Sequence, residues 1–597
     1  MISVGPQTIK EHFAASTLPQ VPPDAICRRP LDYRLLAVMA GAVLGGMVLL
    51  YAGRDLWFFG DEWAFLLDRS LSDVGDWFRP HNEHWSTVPV LIYRLIFSKA
   101  SLSSHTPYFV TLVALHVTLG AVIGRFLLRA GAPVIVAALV AGGLVTFGPG
   151  GENLLWSFQI GFTISLVTAV LAFGLIERAD HKSGLAAAAL LLVSVASSGV
   201  GAAALAAAMI DLLLRRRWER LVVVGGIPTI AYVTWLVLAG GATTDSVASD
   251  PLASLLLVPT FVARGLTATF DGLFGLGLSL GFLAVVLVTI AVLTHLLSKR
   301  PSTTPLVSSS LLTIVFVLAA AGSTRAVSFG VESAASSRYV HIGGVLITLG
   351  AGVAFFQSET WHCHRSGPGR LGLAAVLAIS VVANVAILRE FAWSRTSLST
   401  DVRNAVEAMA AVLAAAPDGE YIDEARPVPH SPDIDVLALR VGIADGSLRF
   451  APRAVETVSD FDIERMRSLM KTRIAASEPS VKAALVVIGP SNDIVAEAPS
   501  EGCISAQIVG GDPYLELRLV TPGWVSVHSV AGGVLEVFPE VDGEFDSSAS
   551  IQNTIQSDET RWVEVASGIA AIRIDPPVGP GAAICASEVS GSQGEVG

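Results

Sequence analysis

The sequence predicts a polytopic α-helical membrane protein with about 11 transmembrane helices, followed by an extracytoplasmic α/β region and a β-sandwich-like domain. Its mean hydropathy is +0.61, and only 15% of its 597 residues are charged, whereas soluble proteins carry about 25%. The apolar residues stand in blocks of about 17 or more, which as helices cross a hydrocarbon core of about 30 Å. Beyond residue 389 the chain becomes polar and acidic, which is typical of a region in water.

Basic residues recur in every second connection between the apolar blocks. Arg28, Arg29 and Arg34 precede the first block, and later clusters follow in alternate loops. Because positively charged loops stay in the cytoplasm, the N-terminus is predicted inside and the C-terminal region outside the plasma membrane of a bacterium. The abundant Ala, Val, Leu and Gly are typical of GC-rich bacteria such as actinobacteria. The predicted spans are 35–53, 106–128, 132–148, 159–176, 184–198, 200–214, 221–239, 276–297, 306–322, 340–356 and 371–388.

Changes in composition divide the chain into five segments. In the long outer loop, the apolar stretch 88–97 is too short to span and predicts an interfacial helix. The stretch 252–275 contains Pro259, Arg264 and Asp271 and is predicted to lie partly along the outer interface. The segments are a cytoplasmic tail 1–34, a transmembrane domain 35–390 with the outer loop 54–105, an α/β region 391–500, a β-sandwich-like domain 501–589 and a disordered tail 590–597.

The C-terminal half of the outer region carries a strand pattern. Short alternating apolar stretches are separated by Gly, Pro and Asp, which predicts strands joined by turns. The helical spacing of apolar residues in 401–416 predicts a helix before the strands. A second helix, 461–474, is predicted between the strands 419–423 and 482–488. The predicted strands are 419–423, 482–488, 515–520, 524–529, 534–538, 561–565 and 570–574.

Four cysteines fall on two sides of the membrane. Cys27 and Cys363 lie on the predicted cytoplasmic side, whereas Cys503 and Cys585 bracket the β region outside. An oxidising compartment favours a disulfide between Cys503 and Cys585. Two free buried thiols are the alternative.

The stretch 57–66 places two adjacent carboxylates, Asp61 and Glu62, among aromatic residues directly after the first span. A carboxylate at this surface would accept a proton from an attacking hydroxyl, and the neighbouring low dielectric would raise its pKa toward a useful range. Asp61 is also a plausible N-cap of a following helix. The position of the pair favours a catalytic role.

A second polar motif in the same loop consists of His81, Asn82, Glu83, His84 and Trp85. Mixed donors and acceptors beside a tryptophan are typical of an edge that binds sugar or phosphate. The spacing of the two histidines also permits zinc on a helix, although no third ligand is evident. A solvated loop is the remaining alternative.

Two further groups of polar residues stand at predicted outer ends of spans. Glu152, Asn153, Trp156 and Gln159 fall in one turn, and polar residues that run into a span usually face the protein interior. Either they line a site, or this is an ordinary loop anchored by an aromatic residue.

Arg325, Arg338 and Tyr339 lie on the predicted outer side, against the usual charge bias. Arginine binds phosphate with paired donors, and a departing lipid phosphate needs such neutralisation. Arg338 is our choice for that role. An interfacial arginine that reaches for the headgroups is the alternative.

A short cytoplasmic tail, a first span and a large outer loop that opens with Asp61 and Glu62 resemble the GT-C glycosyltransferases, which include protein O-mannosyltransferases and lipid A aminoarabinose transferases. The resemblance covers the topology of 35–390 and this motif. It implies a polyprenyl-phosphate sugar donor, Asp61 as catalytic base with Glu62 beside it, and an acceptor that is a cell-envelope glycan, glycolipid or protein. The outer β-rich region resembles modules of some actinobacterial members.

Other classes of function are less well supported by the sequence. It has no phosphate-binding loop, no nucleophile elbow and no basic nucleic-acid surface. No cofactor is expected, and the binding of a divalent metal is an open alternative. The alternatives are a transporter or lipid flippase, which predicts ionisable residues at mid-span and related halves, and a non-catalytic envelope assembly protein with an outer binding domain. Enzyme function requires that Asp61, Glu152 and Arg338 converge on one outer cavity.

Overall fold

A computed structural model describes most of the helical part of the chain. The described residues are 32–178, 180–239, 251–273, 281, 305–358, 361, 367–416, 421–428, 431, 433–451 and 456–475, together with Ser550 and the strands given below.

The described part of the helical region contains nine helices that are long and apolar enough to cross a membrane. Two shorter apolar helices, α9 and α10, form a hairpin whose break at 196–198 matches the predicted division of the block 184–214. The predicted polytopic helical fold is thus confirmed, while the predicted span 276–297 lies outside the described residues. The helices are α1 Tyr33–Ala52, α2 Glu62–Leu66, α3 Val74–Phe78, α4 Thr87–Ala100, α5 Thr106–Ala130, α6 Val134–Val145, α7 Gly151–Leu155, α8 Ile160–Ile176, α9 His181–Val195, α10 Gly199–Leu214, α11 Trp218–Ala239, α12 Pro251–Leu273, α13 Pro305–Arg325, α14 Ser337–Gln357, α15 Gly367–Ala415, α16 Val436–Ala444 and α17 Asp460–Leu469.

The helix α12 lies across the ends of its neighbours. It has the length and composition of a span, yet Phe261 contacts Tyr339 at a ring separation of 6.1 Å, and Arg264 pairs with Glu332 between α13 and α14. A side chain at Gly272 would meet Val340 in the first turn of α14. These contacts place α12 against the C-terminal end of α13 and the first turns of α14, and its position along the membrane interface stays a prediction from its polar residues.

The two ends of the helix bundle differ in charge. The helix α5 begins beside His105, which contacts Glu62, and ends near Arg129. The helix α10 likewise begins next to His84 and ends before Arg215. The end that carries the outer loop is therefore opposite to the basic loops, which is the arrangement that the positive-inside rule predicts for an extracytoplasmic site.

The helix α15 links the bundle to the outer region. It runs unbroken through residue 390, where the sequence predicts a domain boundary. Beyond that point its buried residues, including Val402, Val406 and Met409, share one hydrophobic core with Trp57 and Trp63 of the outer loop. The outer loop and the first part of the outer region are thus packed as one layer above the bundle.

Two six-stranded sheets make up the C-terminal part of the described chain. Their orders are β1-β11-β6-β13-β4-β3 and β10-β7-β12-β5-β2-β14, and all pairs are antiparallel except β14 with β2. The strands are β1 Thr472–Ala475, β2 Ala484–Pro490, β3 Ile494–Ser500, β4 Cys503–Ile508, β5 Leu515–Leu519, β6 Gly523–Ser529, β7 Gly533–Phe538, β8 Glu540–Val541, β9 Glu544–Phe545, β10 Ile551–Ile555, β11 Glu559–Val565, β12 Gly568–Asp575, β13 Ala582–Cys585 and β14 Glu588–Val589.

Most predicted strands are present, with two differences. The strands β1 to β3 precede residue 501, so the sheets begin earlier than the predicted start of the β domain. Tyr421 and Asp423 lie in a loop rather than a strand, because Ile422 packs into the hydrophobic core above the bundle and its N–H donates to the carbonyl of Met470. The tail 590–597 and residues 1–31 lie outside the described residues.

The strand register places Cys503 directly opposite Cys585 on β4 and β13. Opposite residues of antiparallel strands have Cα atoms about 4.5–5.5 Å apart, within the range that a disulfide spans.

In a Cys27→Ser, Cys363→Ser background we expect the oxidised protein to react with no maleimide reagent until it is reduced. A bond across this long loop stabilises by about 2–4 kcal/mol, so Cys503→Ser should lower the melting temperature of the outer region. Two reactive thiols in the untreated protein would contradict the bond.

Candidate functional site

The stretch 57–62 is held in a defined turn by the outer region. The N–H of Trp57 donates to Ser399 Oγ at 3.3 Å, and the N–H of Gly60 donates to Ser431 Oγ at 3.2 Å. Gly60 has a φ of +58°, and a side chain there would lie 3.0 Å from the ring of Trp156. A glycine is therefore required at the bend before Asp61 both for conformation and for space.

The carboxylate of Asp61 faces a cavity instead of capping a helix. Asp61 precedes α2, but its side chain makes no capping hydrogen bond. It is 42% exposed, and its Oδ2 lies 3.7 Å from Nε2 of His81, too far for a hydrogen bond. This leaves the carboxylate available to a ligand, as a general base requires.

Glu62 points the other way, into the protein. Its side chain is fully buried, and Oε1 accepts a hydrogen bond from Tyr93 at 2.7 Å and lies 3.3 Å from Nε2 of His105. Its Oε2 accepts the N–H of Phe59 at 3.1 Å. Burial and then the Glu62 charge raise the pKa of Tyr93 well above its ordinary value, which keeps this hydroxyl a donor. Glu62 thus lies outside the cavity and stabilises the turn 57–62 from the protein interior.

The motif 81–84 forms a tight turn rather than a helix. The backbone groups of His81 and His84 exchange two hydrogen bonds of 3.1 and 3.0 Å, and Asn82 has a φ of +50°. The helical spacing that a zinc pair would need is therefore absent. Burial lowers the pKa of His84, and the neighbouring Glu83 carboxylate acts against this effect.

Arg69 holds this turn in place. Its guanidinium donates to the carbonyls of Asp76, Arg79 and Pro80 at 2.8, 2.7 and 2.8 Å. Burial lowers its pKa to about 10, so the group remains charged at neutral pH. The cation satisfies three carbonyls that the irregular backbone leaves without strand or helix partners.

Two arginines stand at the cavity, each beside a glutamate. Arg338 Nη2 lies 2.9 Å from Glu152 Oε1, and Arg325 Nη2 lies 3.6 Å from Glu83 Oε2. Glu152 is in turn fixed by its N–H, which donates to Ser337 Oγ at 3.0 Å. These pairs link α7 to α14 and the 81–84 turn to α13, which brings residues from distant parts of the sequence to one place.

One cavity of about 440 Å³ collects most of these residues. Its polar end contains Asp61 and both arginines, and its wall continues along small and apolar side chains of α8, α10, α11 and α13. The distribution of polar and apolar groups suits an amphipathic ligand. The residues that line it are Asp61, Phe65, His81, Asn82, Glu83, His84, Ser86, Pro89, Phe158, Gln159, Gly161, Phe162, Ser197, Ser198, Gly199, Val200, Ala202, Ala203, Ala206, Tyr232, Phe316, Val317, Ala320, Ala321, Thr324, Arg325, Arg338, Tyr339 and Ile342.

Four residues that the sequence predicted to bind substrate do not line the cavity. Trp85 stacks on Trp235 with ring centroids 5.5 Å apart, and Trp156 donates its indole N–H to the carbonyl of Phe59 at 3.1 Å. Asn153 is buried and donates to the carbonyl of Arg338. Of the three residues expected to converge on one cavity, Asp61 and Arg338 line it and Glu152 does not; Glu152 pairs with Arg338 at 2.9 Å instead. The contacts of these four residues favour a role in positioning the wall of the cavity.

Several residues of the site carried no signal in the sequence. Asp433 lies near Asp61, and burial followed by the Asp61 charge raises the pKa of Asp433. Ser399 and Ser431 hold the turn, and His105 supports Glu62. These residues lie in ordinary polar stretches of the sequence, and only tertiary contacts distinguish them from their polar neighbours.

Metal coordination receives no support from the described part of the chain. Within it, no three His, Cys, Asp or Glu side chains lie close enough together to hold an ion.

No protein-family model matches this chain, and no curated protein matches it. A solved structure with some similarity is the arabinosyltransferase EmbB from Mycobacterium smegmatis, at 13% sequence identity and a TM-score of 0.30. The match covers 92% of this chain and 64% of that chain, so this chain spans less than two thirds of the length of that enzyme.

The hydrogen bonds of Arg69 predict that its loss would destabilise the outer loop. In Arg69→Ala the carbonyls of Asp76, Arg79 and Pro80 lose a charged donor, and hydrogen bonds of this kind are each worth about 1.5–3 kcal/mol. We expect faster cleavage of the loop in limited proteolysis and a melting temperature several degrees lower. Arg54→Ala is the control, because Arg54 is exposed in the same loop. Equal proteolysis rates in both variants would refute the role of Arg69 in stabilising the loop.

Proposed function

We propose that this chain is a membrane glycosyltransferase of the GT-C type, which transfers a sugar from a polyprenyl-phosphate donor to a cell-envelope acceptor with inversion. The observation that carries the proposal is that Asp61, Arg325 and Arg338 line a single cavity. A base and two phosphate-binding cations then stand at the same end of a largely apolar slot. Glu152 joins them through Arg338.

The cavity favours a donor with a charged head and an apolar tail. Ala202, Ala203 and Ala206 on α10 and Phe316 and Val317 on α13 line its apolar part. Its volume of about 440 Å³ falls within the range of about 300–1,000 Å³ that is typical of small-molecule sites. A sugar phosphate would occupy the polar end, and the first isoprene units would lie between the helices.

The arginines would stabilise the phosphate by exchanging partners. Arg338 and Arg325 are paired with Glu152 and Glu83 in the absence of a ligand. A phosphate accepts two parallel hydrogen bonds from a guanidinium. Phosphate binding would therefore weaken these two ion pairs. Tyr339 lines the same end of the cavity and would add a hydroxyl donor.

The proposed reaction is a single displacement at the anomeric carbon. The acceptor oxygen attacks this carbon while Asp61 accepts the hydroxyl proton. The bond from the carbon to the phosphate oxygen breaks, and the electron pair leaves with the lipid phosphate, whose charge Arg325 and Arg338 neutralise. One displacement inverts the configuration. Glu62 holds the turn that aims Asp61, because its buried carboxylate binds the N–H of Phe59.

The reaction is proposed for the outer face of a bacterial plasma membrane. The basic loops at the opposite end of the bundle support a cytoplasmic N-terminus and an outer site. A lipid-linked donor needs no nucleotide there. The acceptor, a glycan, glycolipid or protein of the envelope, would approach from the outer region that packs above the turn.

The direct test is incubation of the purified protein in nanodiscs with a panel of radiolabelled polyprenyl-phosphate sugars and envelope extracts as acceptors. Release of polyprenyl phosphate with transfer of label supports the proposal. Movement of the lipids across a reconstituted bilayer without transfer would instead support the transporter alternative.

Replacing the proposed base should remove activity and leave the fold unchanged. We expect Asp61→Asn to lower kcat about 100- to 10,000-fold, the usual contribution of a general base, with an unchanged melting temperature because Asp61 makes no capping bond. Asp55→Asn is a matched control in the same loop, since Asp55 is exposed and paired with Arg54. Transfer by Asp61→Asn at the wild-type rate would exclude Asp61 as base.

The phosphate-binding role of Arg338 is tested together with its partner. We expect Arg338→Gln to lower kcat/KM about 10- to 100-fold, because a charge-assisted hydrogen bond is worth about 1.5–3 kcal/mol. The double variant Arg338→Gln, Glu152→Gln avoids an unpaired buried carboxylate and should lose activity equally. Arg264→Gln removes a surface ion pair outside the cavity and serves as control. Full activity of the double variant would refute the assignment.

A further inference from the structure

Arg395 is a cation of the outer region that the proposed reaction leaves unused. It lies on α15 four residues after Phe391 and four residues before Ser399, so the three side chains share one face of the helix. Ser399 accepts a hydrogen bond from the outer loop, and the ring of Phe391 lies against α7, because a side chain at Gly151 would meet it at 2.6 Å. This face of α15 therefore packs on the outer loop and on α7, which carries Glu152.

The guanidinium of Arg395 contacts aromatic rings and has no anionic partner in the described part of the chain. Its Cζ lies 5.2 Å from the ring centroid of Phe59 and 5.2 Å from that of Phe391. It forms no hydrogen bond and no ion pair with any of the described residues. The side chain is partly buried, yet its nitrogens are not among the described buried atoms that lack a partner, so they keep contact with solvent. The N–H groups of Arg395 are thus available to an acceptor that comes within reach.

The carboxylate of Glu152 lies near two arginines. Nη2 of Arg338 lies 2.9 Å from its Oε1, and Arg338 is among the described residues that line the cavity, whereas Glu152 and Arg395 are not. Burial lowers the pKa of Arg395, the Glu152 carboxylate raises it, and the charge of Arg338 lowers it. Arg395 is therefore attracted to Glu152 and repelled by the cation that is paired with it.

A phosphate that binds to Arg338 would leave Glu152 in need of a new partner. The side chain of Glu152 is 9% exposed, and a buried carboxylate that loses its cation is strongly destabilising. The second ion pair of the cavity differs, because the side chain of Glu83 is 26% exposed and Nε2 of His84 lies 4.0 Å from its Oε2. Water can therefore satisfy Glu83 when its arginine turns to a ligand, whereas Glu152 requires a replacement cation.

We propose that Arg395 takes over the pairing with Glu152 when the phosphate of the donor binds to Arg338. The guanidinium leaves the two phenylalanine rings and donates to the carboxylate, so Glu152 stays paired and the donors of Arg338 are free for the phosphate. Arg395 is thus a positioning residue of the site. The inference rests on the proposed function, and it makes donor binding depend on the outer region, because Arg395 stands on the part of α15 beyond the predicted span.

A double-mutant cycle on lipid binding tests this exchange. The full chain in nanodiscs is titrated with decaprenyl phosphate, and the Kd is measured for each variant. We expect Arg395→Gln to raise the Kd about tenfold, because Glu152 is then left unpaired in the complex. In the Glu152→Gln background no carboxylate needs a new partner, so adding Arg395→Gln should change the Kd by less than about twofold.

Two further variants separate the charge of Arg395 from its packing. Glutamine keeps part of the aliphatic stem that packs on the rings, and Arg395→Lys keeps the positive charge, so Arg395→Lys should bind decaprenyl phosphate more tightly than Arg395→Gln. Arg403→Gln is the matched control on the same helix, because Arg403 is already paired with Glu407 at 2.8 Å. It removes one positive charge of the outer region and should leave the Kd unchanged.

Three results would overturn the exchange and leave the proposed function in place. Equal weakening by Arg395→Gln in both backgrounds would mean that Arg395 supports the structure or contacts the lipid phosphate itself. An unchanged Kd in Arg395→Gln would mean that Glu152 needs no second cation. Binding by Arg395→Lys as weak as that by Arg395→Gln would mean that the charge is not what matters. Failure of the wild type to bind decaprenyl phosphate would refute the proposed function itself.

Discussion

The buried carboxylate of Glu62 is the contact on which the geometry of the site depends. It binds Tyr93, approaches His105 and accepts the N–H of Phe59, so it ties α2 to α4 and to the start of α5. A buried charge is tolerated only when such partners satisfy it. Because Glu62 is committed inward, the adjacent Asp61 is directed outward to the cavity, and two neighbouring acids acquire different roles.

The layer above the membrane completes this arrangement. Ser399 on α15 and Ser431 in the following loop bind the same turn as Glu62, through the N–H groups of Trp57 and Gly60. The outer region is thus part of the support of the site. Arg69 fixes the neighbouring turn through three carbonyls. A site on loops reaches the precision of one on helices when buried polar groups hold it from both sides.

The cavity itself combines charges in pairs. Arg325 and Arg338 stand beside glutamates, so that each cation is balanced by a neighbouring carboxylate with which an anionic ligand would compete. In the proposed reaction these ion pairs respond to the phosphate, because the phosphate oxygens compete with the glutamates for the guanidinium groups.

Sequence periodicity alone determined the polytopic helical fold and most strands, because hydrophobic blocks and alternation are local signals. Residue types and their positions in the sequence also placed Asp61, Arg325 and Arg338 as candidates. Only the tertiary structure decided that Asp61 faces a cavity while Glu62 is buried, that Trp85 packs on Trp235, and which distant residues support the turn. Such choices depend on which elements pack together, and no local pattern of residues records that.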